Sequence, residues 1–467
     1  MKMHTISRIA TMLVAAGTLA GCSMDSLVDV KTPSGILDPD ALKTYDGAIY
    51  MYNGAVSEFN RAFMGGQEPS GGQAPYQGRF AIASGVLADE YTVPWGGSLD
   101  LHADEQGIDG ASLDVVFARA YLATGQAIQY LQAYAENAPK AYVARMHLNR
   151  GYISLFMSEL FCSGVPLSEA GAEGKVVYGT GLSTDSLQHY ALAQFDSALS
   201  IFGQDTGVIA IAARLGRARA FLNLKEYDKA ATEVANVPTD FRYDATYNSS
   251  VFASAGFFQP GGPAPSGTGT VADNEGQNGL NFVSAKDPRV KTDSVSKVNE
   301  FNVYQPSAWR ASGSLSVPIE SGINARLIEA EYLLSQGKVT EWLAKLNALR
   351  TTCASAVGCA TPAPVGDGGV AGLPPLTDPG TPASRLQLMF SERGFWLFGT
   401  GHRQGDLRRL VRQYNIPQSQ VYPTGAYIPG TFFGVSGTLY GIYTNIGLGA
   451  HELEANPNYQ GCFDREA

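Results

Sequence analysis

Few residues in this chain have the type and spacing to do chemistry, and the first of them is a thiol. Lys2 and Arg8 precede an uncharged apolar run, residues 9–20, that closes on Leu19-Ala20-Gly21-Cys22. A run of this length is too short for a permanent bilayer span and suits the apolar core of a signal peptide. The small residues before Cys22 let a peptidase approach the backbone. The Cys22 thiol is the one good nucleophile there for taking up a diacylglycerol, as in a bacterial lipobox. Two or three acyl chains would make the attachment near-permanent, since each buried methylene contributes roughly 0.8 kcal/mol. Residue 23 is Ser rather than Asp, so the inner-membrane retention signal is missing and the outer membrane is expected. Residues 1–21 are then the leader, and residues 22–467 form one domain.

The second kind of chemistry is stacking. Neutral, hydroxyl-rich ligands need flat apolar faces for their C–H groups and polar side chains for their hydroxyls. Trp95 and Tyr91 lie in a glycine-containing loop, residues 91–111, and Trp309 and Tyr304 lie in a segment without helical period, with Arg310 as a hydroxyl donor. A hydrolase would need two carboxylates facing each other across a cleft. Asp89, Glu90, Glu320 and Glu329 are present, but no spacing selects a pair, and solvated helix faces account for most of them. Gly-x-Ser-x-Gly, HExxH and P-loop motifs are missing, so no enzyme, no cofactor and no metal is expected.

Four cysteines remain beside Cys22. Outside the inner membrane they are expected to oxidise. Cys353 and Cys359 flank a loop of small residues and are the more secure bridge. Cys162 with Cys462 follows by elimination and would tie the C-terminal tail to an early helix.

Composition narrows the partners. A formal net charge of −10 argues against nucleic acid and against electrostatic attachment to anionic lipid. Charged residues make up 16%, below the roughly 25% of an average soluble chain, while glycine, Tyr and Phe are plentiful. Such a surface suits recognition of uncharged ligands.

The elements that must carry these residues read as helix pairs. Asp38-Pro39 is expected to cap a first helix bearing Leu42, Tyr45, Ile49, Tyr52 and Val56. Helices are expected over residues 80–90, 112–136, 140–160, 185–202, 206–222 and 227–234. Within them, Leu215 to Ala231 resembles a tetratricopeptide repeat, with small Gly216 and Ala220, Tyr227 at the turn and Ala230 opposite. The pattern recurs over residues 324–350, where Gly337 breaks the helix, Trp342, Leu346 and Leu349 pack back, and Glu341 pairs with Lys345 on the solvent side. Two stretches, about 237–318 and 354–383, read as irregular loops inserted in this scaffold. Thr381-Pro382 then caps a helix to about residue 398, and residues 406–414 form a last one. Trp342 and Trp396 fall inside helical periods and are expected in the core. Arg393, Arg403, Asp406 and Arg408 are expected to form a structural salt-bridge and capping network.

Taken in order, several of these pieces resemble the SusD/RagB family of outer-membrane nutrient-binding lipoproteins. They are the lipobox, Ala88-Asp89-Glu90, Lys286-Asp287-Pro288-Arg289, and the helix pair ending in Asn347 to Arg350. Glu392-Arg393, Gly401 to Arg409, Tyr422 to Gly425, Asn456 to Asn458 and Cys462 onward complete the set. The resemblance implies a mostly α fold of tetratricopeptide-like helix pairs with long irregular ligand-binding loops. It also implies capture of an oligosaccharide or other nutrient, and a SusC-like TonB-dependent transporter as partner, over whose mouth the lipoprotein sits as a lid. A tetratricopeptide-type periplasmic scaffold binding other proteins is the alternative, and protease accessibility on whole cells separates the two.

Overall fold

The computed structural model describes residues 42–65, 80–92, 110–171, 175–202, 207–247, 270–298, 301–307, 315–352, 373–426, 431–432, 435–436, 440–441 and 443–465. Eleven of its helices carry the architecture. These are α1 (Tyr45–Met64), α2 (Phe80–Leu87), α3 (Gly110–Tyr134), α4 (Lys140–Leu160), α5 (Thr184–Phe202), α6 (Val208–Asn223) and α7 (Tyr227–Val234), followed by α8 (Gly322–Ser335), α9 (Val339–Thr352), α10 (Pro382–Trp396) and α11 (Arg403–Arg412).

The helices begin and end where local chemistry dictates. Thr44 caps α1 by accepting from the Gly47 amide, so the helix starts there; the expected cap at Asp38 lies outside the described residues. Thr381 accepts from Ser384 N ahead of Pro382, and Ser321 does the same for Asn324 N in α8. Gly337 ends α8 at a φ of 69°, a left-handed turn that glycine adopts at little cost.

Close approach of the early helices rests on two glycines and one ring. A Cβ on Gly151 of α4 would stand 2.5 Å from the Phe195 ring of α5, and one on Gly216 of α6 would stand 2.4 Å from it. The ring is thus seated between three helices. Around it, Phe63, Phe80, Phe156 and Tyr152 build the main core, with Phe80 and Phe156 stacked at 4.0 Å. A second core joins α8 to α11, where Trp342 and Trp396 are both buried as expected and the Trp342 indole faces the Met389 sulfur at 3.3 Å.

Three expectations change. The 237–318 stretch is not irregular throughout. It contains β2 (Arg242–Tyr247), β3 (Thr270–Val271) and a hairpin of β4 (Thr292–Val298) and β5 (Phe301–Pro306), and it runs into β6 (Leu315–Ser321). β2 pairs antiparallel with β6, and Tyr243, Ala245 and Tyr247 turn inward at the period of two that defines a half-buried strand. Asp89, Glu90 and Glu320 are fully buried, not on solvated helix faces. Lys345 does not serve Glu341: its ammonium lies 2.7 Å from Glu329 on the neighbouring helix.

Cys162 and Cys462 are joined by a disulfide across a sequence separation of 300. It lies beside backbone bridges from Phe161 to Ile446 and from Ser163 to Asp464, which bring the tail onto the end of α4. Cys22, Cys353 and Cys359 lie outside the described residues. Among the described residues no helix is long and apolar enough to cross a membrane.

Candidate functional site

The motif residues assemble into a buried ionic spine that fixes where the loops begin. After α2 the chain turns through Asp89 and Glu90 into β1 (Tyr91–Thr92). Asp89 receives both prongs of Arg403, Nε at 2.6 Å and a terminal nitrogen at 2.8 Å, and also accepts the Leu280 amide at 2.8 Å. Asp406 lies between Arg393 (2.7 Å) and Arg409 (2.8 Å), and Arg409 also pairs with Glu331. Glu159 holds Arg219 at 2.6 Å, and Arg219 reaches Glu320 at 3.3 Å. Glu392 receives Arg289 and Arg350 at 2.9 and 2.6 Å.

Burial would raise the Asp406 carboxyl, but Arg393 and Arg409 hold it well below the usual carboxylate range. Burial, with Arg219 nearby, pushes the His402 imidazole down and so favours its neutral form. Arg408 makes no ion pair with a carboxylate among the described residues, although Glu159 and Asp464 act on it from further off. One of its nitrogens donates to the carbonyls of Ser158 (2.8 Å), Glu159 and Phe161 (both 3.1 Å), a cationic cap on the negative end of α4. Burial lowers its pKa to about 10, which leaves it charged at neutral pH. The expected network of Arg393, Arg403, Asp406 and Arg408 is therefore present. These carboxylates are enclosed and matched to cations, so they position the chain; no pair of them faces across an open cleft as acid–base work requires.

Above the spine, three loop roots meet. Tyr91 and Thr92 pair with Val271 and Thr270, and Ala272 N donates to Glu90 O at 2.9 Å. The Thr270 hydroxyl accepts the Tyr304 amide at 2.9 Å, which brings β5 against β3. Ser307 N closes on Lys291 O at 3.0 Å where the hairpin ends. On β5, Val303 and Gln305 point inward while Tyr304 is half-buried, resting on the main core with its hydroxyl 3.4 Å from exposed Asn302.

The candidates chosen from sequence separate at this point. Tyr304 stands at the junction with part of its ring open. Tyr91 is fully buried, edge-on to Phe398 at 5.4 Å, and burial raises its hydroxyl well above the ordinary value. Its ring offers no open face for a ligand. Trp95, Trp309 and Arg310 lie outside the described residues. Asn302 was missed; the alternation of Phe301, Asn302, Val303, Tyr304 and Gln305 was the signal that pointed it outward. Also missed was a cleft of about 700 Å³ between the end of α3, the start of α4 and the end of α5, bordered by Gln132, Glu136, Lys140 and His147. Its lining holds no Trp, Tyr or Phe among the described residues.

As a sequence, the chain matches no protein-family model and no curated protein. As a structure, it is similar to a SusD superfamily protein from Bacteroides vulgatus, with a TM-score of 0.59 at 12% identity over 90% of this chain and 99% of that one. A SusD-like carbohydrate binding protein from the same organism gives 0.59 at 12% identity, over 89% and 97% of the two chains. Surface glycan-binding protein A from Bacteroides uniformis gives 0.59 at 15% identity, over 90% and 99%. The chain has the SusD-like fold: mostly helical, tetratricopeptide-like pairs with a few small sheets.

Proposed function

We propose that this chain is a SusD-type lipoprotein that captures a nutrient, an oligosaccharide foremost, and delivers it to a SusC-like TonB-dependent barrel without breaking a bond. In this reading Cys22 carries the lipid, the outer membrane holds the anchor, and the protein faces the cell exterior. One observation carries the proposal: the chain segments before Trp95, after residue 269 and before Trp309 share one root, where β1, β3 and β5 are hydrogen-bonded above the Asp89–Arg403 pair. Trp95 follows Thr92 by three residues in the sequence and Trp309 follows Pro306 by three, and in this reading both act with the half-open Tyr304 on one ligand. Stacked aromatic faces and an adjacent amide, here Asn302, are what a hydroxyl-rich ligand requires. The likeness to carbohydrate-binding and glycan-binding proteins supports the ligand class, and the lipobox-like leader supports the anchor.

Two experiments test the proposal. A gentle-detergent pull-down from native membranes, with mass analysis, is expected to bring down a stoichiometric β-barrel receptor; periplasmic proteins in its place would overturn the uptake reading in favour of a scaffold. Glycan screening is expected to give a binder whose affinity falls at least tenfold in Trp95→Ala or Trp309→Ala, and less in Tyr304→Ala. Unchanged affinity in all three would remove the platform from the binding site.

A further inference from the structure

Glu90 differs from the other carboxylates of the spine because no cation is paired with it among the described residues. Its Oε1 accepts the Gly399 amide at 3.0 Å, and its Oε2 has no hydrogen-bond partner among the described residues. That second oxygen faces the backbone of α2, near enough to Gly85 that a Cβ there would stand 2.9 Å from it. Arg403, the nearest cation, is already engaged by both oxygens of Asp89. The Glu90 backbone carbonyl accepts from Ala272 N, so Glu90 joins three things: the end of α2, the β1–β3 root, and the turn from α10 to α11.

We propose that Glu90 is a proton-dependent latch: as a carboxylic acid it keeps the loop root joined to the 397–401 turn, and as a carboxylate it lets go. An ionised carboxylate in this enclosure would have one amide to solvate it and no counter-ion, which a dry site does not tolerate. Burial pushes the Glu90 carboxyl up to about 8, outweighing the Gly399 amide, which by itself favours the carboxylate. The charged groups around it are few. Asp89 in its own turn and Asp406 on α11 disfavour the carboxylate, and Arg403 on α11 favours it. Tyr91 on β1 also faces it and is neutral, while α2, β3 and residues 397–401 bring no titratable group.

On ionising, the side chain relieves its desolvation by moving toward water. That movement removes the Gly399 bond and loosens the strand pairing on which the platform rests. The latch depends on buried geometry alone, so it holds or fails whatever ligand the loops take.

Hydrogen exchange read by mass spectrometry between pH 6 and 9, corrected for the intrinsic rate, tests it on the full chain. Peptides covering residues 86–92, 270–276 and 397–402 are expected to lose protection by about tenfold per unit, the slope of one proton, as pH rises from 6 to about 8, and to level off above it. In Glu90→Gln, which keeps the acceptor and cannot ionise, the same peptides are expected to show a flat profile. Identical profiles in wild type and variant would overturn the latch. If Glu90→Gln does not fold, Glu90→Met serves, with lower protection but the same flatness. If neither folds, the wild type decides: a loss of protection spread evenly over the chain would overturn the proposal, and one confined to these three segments would uphold it.

Discussion

Arg403 grips Asp89 with both prongs of its guanidinium, although 314 residues separate the two in the chain. The pair is fully enclosed, and it sets the distance between the turn after α2 and the start of α11. Removing one partner leaves an uncompensated charge in a dry site, which costs more than the pair contributes when intact. Asp89→Asn is expected to lower stability by about 3–5 kcal/mol in urea unfolding at pH 7. Arg403→Lys keeps the charge but not the fork, and is expected to be destabilised as well. A loss below about 1 kcal/mol for Asp89→Asn would mean that the pair is solvated, as surface pairs are.

Acid should weaken the fold through Asp406. Arg393 and Arg409 hold its carboxyl below its ordinary value of 3.8 in the folded chain, against the opposing effect of burial. The unfolded chain therefore takes up the proton first. Stability from this group is present above the unfolded value and disappears as pH falls through the folded one. Urea midpoints measured from pH 5 down to 2.5 are expected to drop steeply in wild type, and Asp406→Asn should start lower and drop less. Parallel curves would place the acid sensitivity elsewhere.

The seat of Phe195 makes a packing prediction. Added methyl groups at Gly151 or Gly216 would meet the ring at 2.5 and 2.4 Å. Gly151→Ala and Gly216→Ala are each expected to cost about 1–3 kcal/mol, the usual range for overpacking. Trimming the ring in the double variant Gly216→Ala/Phe195→Leu should recover part of that loss. A thermal melt that shows no coupling between the two changes would mean that the helices simply shift apart.

The Cys162–Cys462 bridge closes a loop of 300 residues. Its loss is expected to cost about 2–5 kcal/mol, chiefly by releasing the unfolded chain. In a Cys353→Ser/Cys359→Ser background, the further change Cys162→Ser/Cys462→Ser should give a chain that melts at a lower temperature than its oxidised parent and at the same temperature as its reduced parent. Equal melting of all three would make the bridge energetically neutral.

Much of the scaffold is legible without coordinates. Helix periodicity marks residues 140–160 and 227–234 with the bounds that the structure has, and Gly337 and Thr381-Pro382 mark an end and a beginning correctly. Trp342 and Trp396 lie on the apolar stripe of their helices and are in the core. The late motif announces a network, because Asp406 stands among Arg393, Arg403 and Arg408, and three cations with one carboxylate call for further acceptors elsewhere in the chain. The β-strands of residues 237–318 were readable in part: the inward sequence Tyr243, Ala245, Tyr247 has the strand period, hidden among glycine- and proline-rich neighbours.

What a chain determines alone is local: which segments coil, where a cap or a glycine stops them, and which face is apolar, since these depend on residues three or four positions apart. Partners chosen across hundreds of residues depend on three-dimensional packing. Lys345 has Glu341 one turn away, yet it pairs with Glu329, because two packed helices bring that carboxylate to 2.7 Å. Asp89 and Glu90 are neighbours of the same charge type, and nothing local distinguishes them. Tertiary structure supplies Asp89 with Arg403 and Glu90 with a single backbone amide. Tyr91, aromatic and in a loop, reads as a stacking face, and only the approach of Phe398, from far along the chain, encloses it.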